Sequence, residues 1–300
     1  MLAVNLAGIS LDNPLILASG FLGISQEIFT RLYHEFEVGA IVSKSISLNP
    51  MEGYRGPTVV PLENFNFLNA VGLSNPGSDS FSNEIKNNDV PLLVSLVGSQ
   101  ENEFPKLIKK FDKLCILGYE VNLSCPHVAK MGMEVGDDIE LVYRIIKRIK
   151  SVTTKPVIIK IGIGNTNIVK IAEIAQDAGA NAITAINTIR AMKIDIKTER
   201  PILSNKFGGL SGKAIKPIGI RSVYEISKNL NIPVVGCGGI FSWEDVIEYM
   251  LAGSSAVQIG SSIGYLGMSV FKEIKKGIMD YIKKKDLKNI MEIIGNAHKY

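Results

Sequence analysis

The segment Val121-Asn122-Leu123-Ser124-Cys125-Pro126-His127 concentrates more chemistry than any other in this chain. It sets a thiol just past an apolar run, between an amide side chain and a proline that cannot continue a sheet ladder. A thiol so placed can act as base or nucleophile, although a free cysteine also serves as a small buried apolar residue. Two lysines sit inside apolar runs, Lys44 in Ile41-Val42-Ser43-Lys44-Ser45 and Lys160 in Val157-Ile158-Ile159-Lys160-Ile161. An ammonium there either meets an anion or snorkels to solvent. Asn69, Asn75, Asn122 and Asn187 offer donors and acceptors suited to a cyclic imide, amide or carboxylate, and Thr188 adds a hydroxyl. Asn75, before Pro76, reads equally as a turn residue. Gly238-Gly239, Gly260-Ser261 and the cluster Gly208-Gly209-Leu210-Ser211-Gly212 permit close backbone approach to a phosphate-bearing ligand.

These residues need elements to position them. Short apolar runs recur at Leu15–Ser19, Ala40–Lys44, Leu92–Val97, Tyr119–Leu123, Val157–Ile161, Ala182–Ile186, Val234–Cys237 and Ala256–Ile259. Amphipathic helical patterns lie between them, including Ile139–Lys150, Ile168–Ala178, Ile218–Asn229 and Trp243–Leu251. Near-continuous apolar strands alternating with such helices indicate parallel β/α construction. Eight units point to a closed (β/α)8 TIM barrel, expected to be a single domain over residues 1–300. In such a barrel chemistry gathers at the C-terminal strand ends. Here those ends carry Ser19-Gly20, Lys44-Ser45, Asn122 with Cys125 beyond, Lys160, Asn187-Thr188, Gly238-Gly239 and Gly260-Ser261. The connections Ile46 to Val90 and Ile189 to Lys216 are too long for turns, so hairpins or lids over the C-terminal face are expected.

Composition narrows the chemistry. Three scattered cysteines suit neither a disulfide framework nor a four-cysteine metal site, and a reducing cytoplasm is expected. The start lacks the pattern of a signal peptide, and no apolar run reaches the about 20 residues of a membrane span. With a net charge of +4, and lysines at helical spacing in Lys106–Lys113, Lys147–Lys155 and Lys272–Lys288, solvated helix faces are expected rather than a nucleic-acid surface. His34 and His298 read as surface residues, and His127 as pointing to solvent. No Ser/His/Asp set or metal-spaced acidic group stands out. A thiol, two lysines, several amides and a phosphate cradle fit flavin-dependent redox chemistry, in which Lys160 would face the negative charge of a reduced flavin.

Across nearly its whole length the chain resembles the class 1 dihydroorotate dehydrogenases. The resemblance rests on Ser19-Gly20, Ser43-Lys44-Ser45, Asn69-Ala70-Val71-Gly72-Leu73-Ser74-Asn75-Pro76-Gly77, the Cys125 segment, Lys160, Asn187-Thr188, the Gly208–Gly212 cluster, Gly238-Gly239 and Gly260-Ser261. The Asn69 and Cys125 segments are the specific ones. The resemblance implies FMN as cofactor and Cys125 as the base that takes the C5 proton of dihydroorotate while hydride leaves C6 for flavin N5. Lys44, Asn69, Ala70, Val71, Gly72, Leu73, Asn122, Asn187 and Thr188 would hold the substrate. Ser19, Lys44, Ser45, Ser95, Asn122, Lys160, Ile186, Gly212, Gly238, Gly239, Gly260 and Ser261 would contact the flavin. Three positions depart from the family's usual residues: His127 and Ser95 stand for asparagine, and Ser261 for threonine.

The resemblance also bears on the electron acceptor. Quinone-using relatives carry an N-terminal amphipathic extension, whereas this chain begins almost directly at its first strands, so a soluble enzyme is expected. General resemblance favours the NAD-linked type, in which FAD and an iron–sulfur cluster would sit on a partner subunit. The fumarate-linked homodimer is the alternative. Other readings are a dihydropyrimidine dehydrogenase-like or tRNA-modifying flavin barrel, or a flavin relay without turnover of its own.

Overall fold

All eight apolar runs become parallel strands that close on themselves. The computed structural model describes residues 1–98, 100–123, 138–164 and 166–300. The barrel strands are β1 Leu15–Leu17, β2 Ala40–Val42, β3 Leu92–Leu96, β4 Gly118–Asn122, β5 Val157–Ile161, β6 Ala182–Ala185, β7 Val234–Cys237 and β8 Ser254–Ile259. Each pairs with its neighbours in chain order, and β8 pairs with β1 to close the barrel. This is the expected (β/α)8 architecture.

Helices pack against the outside of the barrel, and the sequence pattern explains which face they bury. In Glu103–Phe111, Phe104, Leu107, Ile108 and Phe111 recur at helical spacing and are fully covered, while Lys109 and Lys110 stay exposed. Each such large apolar side chain contributes about 1.5–3 kcal/mol on burial. Ile139–Lys150 repeats the arrangement with Val142, Ile145, Ile146 and Ile149 inward, and Asp138 caps its start by accepting from the Leu141 N–H. Lys147 and Arg148 lie on its exposed face, whereas Lys150 and Lys155 are half-buried and donate to Asn181 and to the Ile116 carbonyl, so this lysine-rich stretch is only in part the solvated face expected.

Strand parity sets what points into the barrel. On β4, Tyr119 turns outward, its hydroxyl hydrogen-bonded to Asp112 beyond the Glu103–Phe111 helix. Glu120 and Asn122, of the opposite parity, turn inward.

The two long connections meet as one antiparallel sheet. The hairpin Val59–Leu62/Asn66–Asn69 pairs through its second strand with Gly208–Gly212, which in turn pairs with Ile189–Ala191. Leu68, Ala70 and Leu203 form a small apolar core of their own beneath this sheet. The hairpin is anchored by Tyr265, which donates to the carbonyls of Leu62 and Asn66 at 3.1 and 2.7 Å. A separate N-terminal hairpin, Val4–Leu6/Ile9–Leu11, precedes the barrel.

Candidate active site

A cavity of about 530 Å³ opens between the C-terminal ends of the barrel strands and the inserted sheet. Its volume falls within the roughly 300–1,000 Å³ typical of small-molecule and cofactor sites. Seven strands contribute to its lining, through Ser19 after β1, Lys44 and Ser45 after β2, Asn122 on β4, Lys160 on β5, Asn187 and Thr188 after β6, Gly238 and Gly239 after β7, and Gly260 and Ser261 after β8. Ile186 and the segment Asn69–Leu73 line it as well.

The polar residues of one wall form a continuous hydrogen-bonded chain. Ser19 Oγ lies 3.3 Å from Ser45 Oγ, and Asn122 Nδ2 donates to the same Ser45 oxygen at 3.2 Å. Asn187 Nδ2 donates to Asn122 Oδ1 at 3.4 Å, while the Thr188 N–H donates to Asn187 Oδ1 at 2.8 Å. Rotamers held this way present amide and hydroxyl groups in a fixed order to a ligand. Asn69 is tied to the inserted sheet by donating to the Gly209 carbonyl at 3.0 Å.

The two lysines have different surroundings. Lys44 is half-buried and has no ion-pair partner among the described residues; burial alone holds its pKa below the ordinary lysine value. A cation in that state favours an anionic ligand. Lys160 has partners already. Its Nζ donates to Gln258 Oε1 at 2.9 Å and lies 3.7 Å from Glu120 Oε1. Burial works against its charge, but the Cys237 sulfur and the Glu120 carboxylate hold its pKa above the ordinary value. Burial in turn pushes the Cys237 thiol's own pKa up.

The glycine pair after β7 is shaped for backbone approach. Gly238 and Gly239 both have positive φ, +124° and +70°. A Cβ on Gly239 would come within 2.7 Å of Lys216 Cβ and 2.8 Å of the Gly212 carbonyl oxygen, so only glycine fits. Tyr249, on the helix Trp243–Leu251, donates its hydroxyl to the Gly238 carbonyl at 2.8 Å and pins the turn from behind. Asp245 on the same helix accepts from the N–H groups of Phe241 and Ser242, fixing the loop that follows.

Several expectations fall elsewhere. Ser95 does not line the cavity: it is fully buried behind Ser45, with their hydroxyls 2.9 Å apart. Gly212 likewise stands behind Gly239 rather than on the cavity surface. Asn75 spends its side chain on Ser47, Leu73 and the Gly77 N–H, the turn role that Pro76 suggested. His298 is not a frayed surface residue; its ring packs on Tyr224 and its Nε2 lies 2.9 Å from the Ala252 carbonyl. Cys125 and His127 lie outside the described residues.

Sequence reasoning missed other parts of the site. Phe21, Tyr54, Arg190 and Phe207 line the cavity from the loop after β1 and the two insertions. Gln258 lines it from β8, and Glu120 and Thr184 support it from below. The last three carried a usable signal, since each is polar and lies at the inward parity of an otherwise apolar strand.

The family model described as dihydroorotate dehydrogenase matches residues 1–282. A protein of Pyrococcus abyssi, named dihydroorotate dehydrogenase B (NAD(+)), catalytic subunit, is 46% identical over 301 residues and the match covers both chains completely. Proteins of the same name from Pyrococcus furiosus and Methanocaldococcus jannaschii are 45% and 43% identical, each match covering 99% of this chain and 98% of the relative.

Proposed function

This chain belongs to the dihydroorotate dehydrogenase family, and from that membership we propose that it oxidises dihydroorotate to orotate as an FMN-dependent catalytic subunit whose electrons pass to NAD through a partner. The observation that carries the substrate reading is the half-buried Lys44, without an ion-pair partner among the described residues, in a cavity lined by Asn69, Asn122 and Asn187. A planar ring bearing one carboxylate and ring amides is complementary to one cation and several amide side chains.

The residues also suit the cofactor. The positive-φ glycines of the β7 turn and Gly260-Ser261 leave room and backbone N–H groups for a phosphate, and Lys160 at the floor suits a ring that gains negative charge. FMN, when bound, supplies a hydride acceptor. Lys44 would hold the carboxylate, and the Asn122–Asn187 pair would fix the ring amides. Cys125 would remove the C5 proton, a task for which a positioned base is worth roughly 10²–10⁴ in rate. The inserted sheet, with Phe207 and Tyr54, would exclude water from the bound ring.

The whole chain would act as one catalytic domain, with FAD and any iron–sulfur cluster on the partner, because three cysteines are too few for a four-cysteine cluster here. A homodimer of the catalytic chain is part of the same reading. No helix among the described residues is long and apolar enough to cross a membrane.

The test is anaerobic addition of L-dihydroorotate to the purified protein while visible flavin absorbance is followed. Rapid bleaching supports the reading. A yellow protein that bleaches with another dihydropyrimidine and not with dihydroorotate overturns the substrate, and a protein that binds no FMN on reconstitution overturns the cofactor.

A further inference from the structure

At the cavity floor Lys160 is half of a buried charge pair whose other half, Glu120, does not reach the cavity. Glu120 and Thr184 are wholly buried, and Gln258 and Lys160 are only 2% and 5% exposed. Gln258 bridges the pair, its Oε1 accepting from Lys160 at 2.9 Å while its Nε2 donates to Glu120 Oε2. Thr184 Oγ1 donates to that same oxygen at 2.9 Å. Glu120 Oε1 accepts no hydrogen bond and sits 3.7 Å from Lys160 Nζ. One oxygen is thus saturated by neutral donors, and the other meets the ammonium. Packing gains nothing from a carboxylate, whose burial is unfavourable unless it is paired.

We infer that Glu120 is a positioning residue: through Gln258 it fixes the Lys160 ammonium at the floor and offsets its charge, and so sets how strongly the site prefers reduced over oxidised flavin. The inference rests on the flavin reading above. Lys160 reaches the cavity and Glu120 does not, so the positive charge acts on a bound ring at closer range than the negative one. In a low-dielectric floor the more distant carboxylate still weakens that attraction.

The test is potentiometric titration of FMN bound to the wild-type protein and to Glu120→Gln, Lys160→Met and the double variant. Glu120→Gln should raise the midpoint potential by about 30 mV or more, which for two electrons is a tenfold gain in preference for the reduced form. Lys160→Met should lower it, and the double variant should lie nearer the wild type than either single change. An unchanged potential in Glu120→Gln, beside a lowered one in Lys160→Met, would overturn the inference. FMN-free protein gives a second readout. Lys160→Met strands Glu120 as an unpaired buried carboxylate and should lower the melting temperature, and adding Glu120→Gln should restore most of the loss. A double variant that melts no higher than Lys160→Met would also overturn the pairing, even where Glu120→Gln alone does not fold. A wild-type protein that takes up no FMN overturns the flavin reading instead, and the melting comparison then still decides on the pair.

Discussion

Asn122 and Lys160 are register partners on the adjacent parallel strands β4 and β5, so an amide and an ammonium enter the cavity side by side. Because β4 alternates, the residue two positions before Asn122 is the inward-facing Glu120, which pairs with Lys160 at 3.7 Å. One strand therefore contributes a ligand-facing amide and, a layer below, the counter-charge of its neighbour's lysine. The same alternation on β8 puts Gln258 beneath Gly260.

Asn122→Ala should weaken orotate binding more than flavin binding. The change removes the link between Ser45 Oγ and Asn187 Nδ2, and leaves Asn187 less firmly held. Loss of a buried hydrogen-bonded partner costs about 1–3 kcal/mol, or roughly 5- to 150-fold in affinity. Titration of orotate against the flavin spectrum measures it. Unchanged orotate affinity would remove Asn122 from the substrate wall.

Lys44 should make orotate binding pH-dependent. Burial holds its pKa below 10.5 in the folded chain, so the unfolded chain binds more protons between the lowered value and 10.5. In that window the stability contributed by this site rises with pH. An anionic ligand acts in the opposite sense, because it requires the charged form. Orotate affinity should be complete below the lowered pKa and fall as pH rises through it. In Lys44→Met, binding should be weaker and this pH dependence absent. A wild-type affinity that stays level into alkaline pH would argue that Lys44 does not meet the carboxylate.

The barrel and the rim of its site were legible for a simple reason. Strands buried on both faces read as uninterrupted apolar runs, so polar residues at their ends, such as Ser19, Lys44 and Asn187, stood out. Glu120 and Gln258 were harder to see because each lies within such a run, and only inward parity separates them from their neighbours. The N-terminal hairpin was missed because its strands have three residues each and its Ala7-Gly8 turn, with both φ positive, lacks the usual Asn-Gly signal. Arg190 and Phe207 could not be placed locally. Gly209 pairs with Asn69, a contact between insertions far apart in sequence that brings the second insertion over the mouth.

Tyr249→Phe should loosen the phosphate end of the site without touching a ligand. Its hydroxyl donates to the Gly238 carbonyl at 2.8 Å, and burial holds the phenol well above its usual pKa, so it remains a donor. Losing the bond should cost about 0.5–1.5 kcal/mol of stability. FMN release, followed by fluorescence after dilution, should quicken several-fold while orotate affinity in the loaded protein stays unchanged. Equal release rates would place Tyr249 in packing alone.

Gly239→Ala should be more severe. A Cβ would press on Lys216 and on the Gly212 carbonyl at a φ of +70°, so the turn must move. Desalted protein should retain little FMN, and its melting temperature should fall as well. Full flavin occupancy in this variant would exclude the β7 turn from phosphate binding.

Cys125→Ala isolates the proposed base from the binding machinery. If Cys125 takes the C5 proton, the variant should keep FMN and bind orotate normally, because Lys44, Asn122, Asn187 and the glycine turn are untouched. Flavin reduction by dihydroorotate in an anaerobic stopped-flow should slow by roughly 10²–10⁴, the usual worth of a positioned general base. Cys125→Ser should recover part of that rate mainly at alkaline pH, since a hydroxyl gives up its proton far less readily than a thiol. Reduction at the wild-type rate in Cys125→Ala would assign the proton to another group. A loss of FMN or orotate binding in the same variant would instead mean that Cys125 holds the site together, and the slower rate would then carry no information about the base.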